Sequence, residues 1–251
     1  MTASPIAHGR TIVPDRAPNQ PTHAGDEHTL PAALARALPG RFIVFEGPDG
    51  SGKSTQLRRF VGACNASGVR PVEVREPGGT EVGERIRRAL LDHLEREEMT
   101  LRCEMLLYMA SRAQLCERVI APAVARGELV VVADRFVSST MAYQGAAGGL
   151  PLDEIEAAAG IATRGVSPDA VVIFDVDEQT AAQRMNPLLR GDSLDRMEAK
   201  GLAFHRKVRA GYLEQVERFP STHLRIDASA AEDDVWHSFV HTLTAHLTKN
   251  A

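Results

Sequence analysis

Apolar residues along this chain collect into short unbroken runs separated by stretches of helical spacing. The clearest are Phe42 to Phe45, Leu129 to Phe136, which ends in an acid and a base, and Ala170 to Val176; Val69 to Arg75 and His223 to Ser229, broken by charged residues, read as further strands. Continuous runs of this length suit strands buried on both faces of a parallel sheet. Between the first two, Leu57, Phe60, Val61 and Cys64 follow the i, i+3, i+4, i+7 pattern of an amphipathic helix, and Gly68 stands where it should end. Val82, Ile86 and Leu90 give the face of another helix, and Thr100 is placed to cap a long one running through Arg126, interrupted by Pro122. Strands alternating with helices predict right-handed βαβ crossovers and a parallel sheet of about five strands flanked by helices.

The first 38 residues break the pattern. Prolines at positions 5, 14, 18, 21 and 31 and the lack of apolar periodicity predict a disordered N-terminal extension (1–38) ahead of one folded domain (39–251). The extension has no apolar run of the signal-peptide kind, and its acidic residues Asp15, Asp26 and Glu27 count against an organelle-targeting sequence. With 29 basic and 33 acidic residues the formal net charge is −4, which gives no field suited to a nucleic-acid polymer or an anionic membrane. No apolar stretch reaches the length of a membrane span. Cys64, Cys103 and Cys116 show neither paired spacing nor an even count, so a disulfide framework and a zinc site are both disfavoured and a cytoplasmic setting is expected.

The densest chemistry follows the first strand. In "FEGPDGSGKST" the segment Gly47, Pro48, Asp49, Gly50, Ser51, Gly52, Lys53, Ser54 fits G-x-x-x-x-G-K-[ST], with Thr55 following. Strand, glycine loop and helix in that order aim backbone N–H groups at a phosphate chain. Lys53 is expected on the β and γ phosphates of ATP, Ser54 on Mg²⁺, and Asp134, at the end of a neighbouring strand, as the second Mg²⁺ anchor. In such sheets ligands lie at the carboxyl ends of strands, where "REPGGT" (Arg75, Glu76) and Asp134-Arg135 also fall. Arg135, expected to be oriented by its neighbour Asp134, and Arg75 are the candidate clamps for phosphate oxygens at this edge. Tyr108 and Arg112, four apart on one helix, offer a flat surface and a polar handle on one face.

Taken together with "DRFVSSTMAYQG" and the arginine-rich "RMNPLLRGDSLDRMEAKG", these motifs resemble those of the thymidylate kinases, from about Arg41 to the C-terminus. The resemblance implies a P-loop nucleoside monophosphate kinase fold with a short lid, transfer of the γ-phosphate of ATP to dTMP, and a homodimer packed through the helices after the second strand. It further implies that Tyr108 stacks on the base, that Arg112 reads thymine, and that Ser139 and Gln144 line the nucleotide. Tyr143 is then expected beneath the sugar, and Asp49 and Glu76 near the deoxyribose, with Asp49 also organising the loop and metal.

Some thymidylate kinases carry an arginine inside the P-loop and others supply it from the lid. Position 51 is a serine here, so the catalytic charge is expected from the lid, with Arg190 ranked before Arg184 and Arg196. Two other readings stand beside this one: a kinase of another pyrimidine nucleotide or deoxynucleoside, and a nucleotide-dependent switch without catalysis. A switch needs no second pocket, which leaves Arg75, Tyr108, Arg112 and Arg135 without a shared purpose.

Overall fold

A computed structural model describes residues 29–92, 98–185 and 201–249. Its strands are β1 (Phe42–Glu46), β2 (Arg70–Arg75), β3 (Leu129–Asp134), β4 (Ala170–Asp175) and β5 (His223–Asp227). All pairings are parallel, in the order β2-β3-β1-β4-β5. Central β1 and β4 are buried at every position, as expected of strands covered on both faces, whereas the outer β2 and β5 are only partly buried and carry exposed charges. The helices are α1 (Ala32–Ala37), α2 (Lys53–Ala66), α3 (Glu81–Leu91), α4 (Leu101–Leu115), α5 (Ala121–Ala125), α6 (Val137–Thr140), α7 (Leu152–Thr163), α8 (Glu178–Arg184), α9 (Leu202–Arg218) and α10 (Glu232–Thr248).

Register determines what shares the active edge. Phe45 lies opposite Asp134 and Arg75 lies opposite Asp134 from the other side, so the ends of β1, β3 and β2 are aligned. The charged residues that terminate these strands therefore emerge side by side. Beneath them, Phe45, Phe60, Phe174 and Phe239 pack with ring centroids 5.2–5.7 Å apart, tying β1 and β4 to α2 and α10. The opposite face of the sheet packs Val44, Val131, Ala133 and Ile173 against Tyr143 and Tyr212.

Two expectations need correction. The helix capped by Thr100, whose hydroxyl accepts from the Cys103 N–H, does not continue regularly to Pro122. It widens into a π-helical turn at Cys116–Ile120 before α5, because Pro122 has no N–H to donate and its ring crowds the preceding turn. The disordered stretch expected to reach residue 38 is also too long at its folded end. Residues 32–37 form α1, and Leu30, Leu34 and Leu38 are buried in the core beside α10. Leu30, Leu34 and Leu38, with Ala35 and Ala37 beside them, make this contact over barely two turns, too short a segment to stand out as a helix next to the proline-rich stretch.

If α1 belongs to the folded unit, Leu34→Ala will lower stability by about 2–5 kcal/mol, as for other fully buried leucines. The measurement is the urea unfolding midpoint. A midpoint equal to that of the unaltered protein would detach α1 from the core.

Candidate active site

The loop between β1 and α2 owes its shape to glycine. Gly47 has φ +144°, and a side-chain carbon there would sit 2.5 Å from the Phe174 carbonyl oxygen. Gly52, at φ +82°, precedes the first residue of α2, so the free N–H groups of that helix open into the loop. Ser51 Oγ is buried there and has no hydrogen-bond partner among the described residues. An oxygen-rich ligand entering the loop would meet these unused polar groups.

Lys53, the first residue of α2, is buried and its ammonium is ion-paired with Asp134 Oδ1. Burial, and then the nearby Arg135, hold its pKa below the ordinary lysine value. Arg135 does not pair with its neighbour Asp134 as expected. Successive residues leaving a strand point in different directions, and Arg135 has φ +71°, which turns it toward Asp49. Its Nη2 pairs with Asp49 Oδ1, while Nη1 donates to Gly47 O at 3.2 Å, Ser139 Oγ at 3.0 Å and the Tyr212 hydroxyl at 3.0 Å. The Tyr143 hydroxyl donates to Asp49 Oδ2 at 2.8 Å, and the guanidinium lies over the Tyr143 ring, 5.2 Å from its centroid. Burial acts to raise the Asp49 pKa, but Arg135, Tyr143 and Lys53 together bring it below the usual carboxylate value.

Behind Arg135 lies a carboxylate that was not singled out from the sequence. Glu46, at the end of β1, is fully buried and accepts from Phe136 N at 2.7 Å, Ser139 N at 3.1 Å, Ser139 Oγ at 2.6 Å and the Tyr212 hydroxyl at 2.9 Å. Burial raises its pKa despite these donors and the Arg135 charge. An acid ending an apolar strand in "FIVFEG" was the available signal. Tyr212, on α9, had none, since it is 166 residues from Glu46 in the chain.

Arg112 is 1% exposed and meets Glu76 Oε2, with Nε at 2.7 Å. Its Nη2 donates to Phe136 O at 3.0 Å and Thr140 Oγ1 at 3.1 Å, and its Nη1 to Met109 Sδ at 3.0 Å. Glu76 therefore serves chiefly as partner of Arg112, although it still borders the cleft. Arg75 is half exposed and paired with Glu84 at 2.9 Å. Gln144 donates through Nε2 to Glu104 Oε1 at 2.7 Å.

Two clefts open along this edge. One, about 260 Å³, is bordered by Arg75, Glu76, Tyr108, Arg112, Arg135, Ser139, Tyr143 and Gln144, and also by Arg87, which the sequence reading missed. That is room for one small ligand, not a polymer. The other is formed by Pro48, Asp49, Gly50, Ser51, Gly52, Lys53, Ser54, Thr55, Arg184 and Met185. Asp49, Lys53 and Ser54 border both, so the clefts meet at the lysine. Arg184 is tied by Nη1 to the Ala228 carbonyl at 2.9 Å, at the far end of the second cleft. Arg190 and Arg196 lie outside the described residues.

The buried Glu76 generates a pH prediction. Burial pushes its carboxyl from 4.5 up to about 7, with Arg112 opposing. The folded protein thus holds a proton there that the unfolded chain has lost, so this contribution to stability is complete in acid and falls as pH rises through about 7. Glu76→Gln removes the titration. In thermal melts the stability of this variant relative to the unaltered protein will rise between about pH 5 and about pH 8; a difference that stays constant contradicts the raised value.

Comparison with known proteins gives one consistent result. The profile of the family described as "Thymidylate kinase" matches residues 45–238. A thymidylate kinase of Exiguobacterium sp. is 47% identical over 193 residues, covering 76% of this chain and 88% of that protein. One from Pelotomaculum thermopropionicum is 43% identical over 218 residues, 85% of this chain and 99% of the relative. A third, from Deinococcus radiodurans, is 42% identical over 197 residues, 78% and 92% respectively.

Proposed function

The chain belongs to the thymidylate kinase family, and from that premise we propose that it transfers the γ-phosphate of ATP to dTMP, giving dTDP and ADP. The observation that carries this reading is the meeting of two clefts at Asp49, Lys53 and Ser54. A nucleotide switch needs one pocket; phosphoryl transfer between two nucleotides needs two whose phosphate ends touch. The P-loop cleft suits the donor. The cleft of Tyr108, Arg112 and Arg135 suits the acceptor.

Phosphoryl transfer depends on alignment and charge neutralisation more than on covalent help. The P-loop N–H groups hold the donor phosphates, and Lys53 exchanges its contact with Asp134 for the β and γ oxygens. Arg135, anchored on one edge by Asp49 and on the other by Ser139 and Tyr212, presents its charge to the acceptor phosphate, with Arg75 assisting from the rim. An acceptor phosphate oxygen attacks the γ-phosphorus in line, and ADP departs with the electrons of the broken bond. Ser54 and Asp134 offer the hard oxygen atoms that suit Mg²⁺, which when bound would neutralise phosphate charge. Tyr143, with its hydroxyl held by Asp49, keeps its ring at the sugar.

The lid arginine, Arg190 first and Arg196 or Arg184 after it, is the proposed source of the charge that Ser51 lacks. The Arg184–Ala228 contact favours the other two, because a tethered side chain is less free to swing. A homodimer in the cytoplasm completes the proposal. No helix among the described residues is long and apolar enough to cross a membrane.

A coupled ADP-release assay with ATP and Mg²⁺ against dTMP, dUMP, dCMP, ribothymidine monophosphate and thymidine tests the assignment. dTMP should give the highest kcat/KM, and Lys53→Ala should abolish turnover. Arg190→Ala should lower kcat by about 100-fold or more while leaving both KM values nearly unchanged, as loss of a transition-state charge does. Best turnover with thymidine would overturn the acceptor-phosphate clamp.

A further inference from the structure

We propose that Glu104 sets the base specificity of the acceptor cleft by fixing which end of the Gln144 side-chain amide faces the ligand. The inference rests on the dTMP reading and deepens it. Glu104, Tyr108 and Arg112 are spaced four apart on α4, so they form one stripe along the helix. Tyr108 and Arg112 border the cleft, and Glu104 lies behind it, 2% exposed. Gln144, also 2% exposed, comes from the π-helical turn Met141–Ala147 and borders the same cleft.

An ionised carboxylate only accepts hydrogen bonds, whereas an amide has one end of each kind. Glu104 therefore draws the amide nitrogen of Gln144 to itself, at 2.7 Å, and turns the carbonyl Oε1 away. Oε1 is the end left for a ligand. Arg112 contributes the opposite polarity: with Nε and Nη2 on Glu76, Nη2 also on Phe136 and Thr140, and one Nη1 hydrogen on Met109, its second Nη1 hydrogen is the donor left among the described residues.

A donor beside an acceptor matches one edge of a pyrimidine. Thymine presents the O4 acceptor next to the N3–H donor. Cytosine presents a 4-amino donor next to a bare N3, which reverses both positions. If the Gln144 amide turned over, its NH₂ would face the ligand and favour the cytosine N3. Glu104 acts on the base through Gln144, so it is a positioning residue, and it excludes the wrong base by denying it a partner.

The test is kcat/KM for dTMP and dCMP with the unaltered protein, Glu104→Gln and Glu104→Asp, alongside thermal melts. Glu104→Gln keeps shape but can donate or accept, so the dTMP/dCMP ratio should fall about tenfold or more, mainly through KM. Glu104→Asp retains an acceptor-only group and should keep more of the ratio than Glu104→Gln. On a Gln144→Ala background, Glu104→Gln should have no further effect on the ratio. An unchanged ratio in Glu104→Gln overturns the proposal, as does equal loss in both Glu104 variants, which would indicate packing alone. Should Glu104→Gln not fold, the Glu104→Asp ratio decides: a collapse to that of Gln144→Ala overturns the proposal. Absence of dTMP turnover in the unaltered protein would instead sink the kinase reading itself.

Discussion

The active edge depends on one buried carboxylate. Glu46 ends the central strand with no exposure to water, a position that costs several kcal/mol unless its oxygens are hydrogen-bonded. Its donors come from the turn after β3 and from α9, so satisfying it draws three separate parts of the chain together. Because the Ser139 and Tyr212 hydroxyls donate to Glu46, their lone pairs are free to accept from Arg135. A guanidinium that would otherwise sample many rotamers is thereby held at the cleft. The left-handed backbone of Arg135, costly for a residue with a side chain, is sustained by these bonds.

From this hub the charge pattern divides in two. Asp49 belongs to the P-loop yet grips Arg135, while Asp134 ends β3 yet grips Lys53. Each acid reaches across to the cation of the other element, which ties the P-loop and the end of β3 into one frame. Both cations border the cleft. The Tyr108 end of the cleft is organised differently, by the buried pairs Arg112–Glu76 and Gln144–Glu104. Breaking the buried Arg112–Glu76 ion pair at one partner costs about 3–5 kcal/mol.

Much of this was legible in the chain. The runs at Phe42 and Ala170 are apolar because those strands are covered on both faces, and the glycines that follow the first are required by the loop's backbone. Those are local constraints, and local constraints leave patterns. Arg112 could be paired with Tyr108 by spacing, yet its bond to Glu76 could not, because it joins residues 36 apart. Asp134 and Arg135 invited pairing as neighbours, and the turn at Arg135 sent them to different partners. Tyr212 and Glu104 looked like ordinary helix positions, since their roles arise only where α9 and α4 meet the sheet edge. Residues 30–38 were read with the proline-rich stretch because three leucines do not make a period.

If Glu46 holds Arg135 in place, its loss should weaken dTMP binding and leave the P-loop intact. Calorimetric titration of dTMP and of a non-hydrolysable ATP analogue, each into the unaltered protein and into Glu46→Gln, tests it most directly. dTMP affinity should fall about tenfold or more, the loss of one charge-assisted contact. Affinity for the analogue should change by less than about threefold. Equal weakening of both ligands, or no weakening of dTMP, would contradict it.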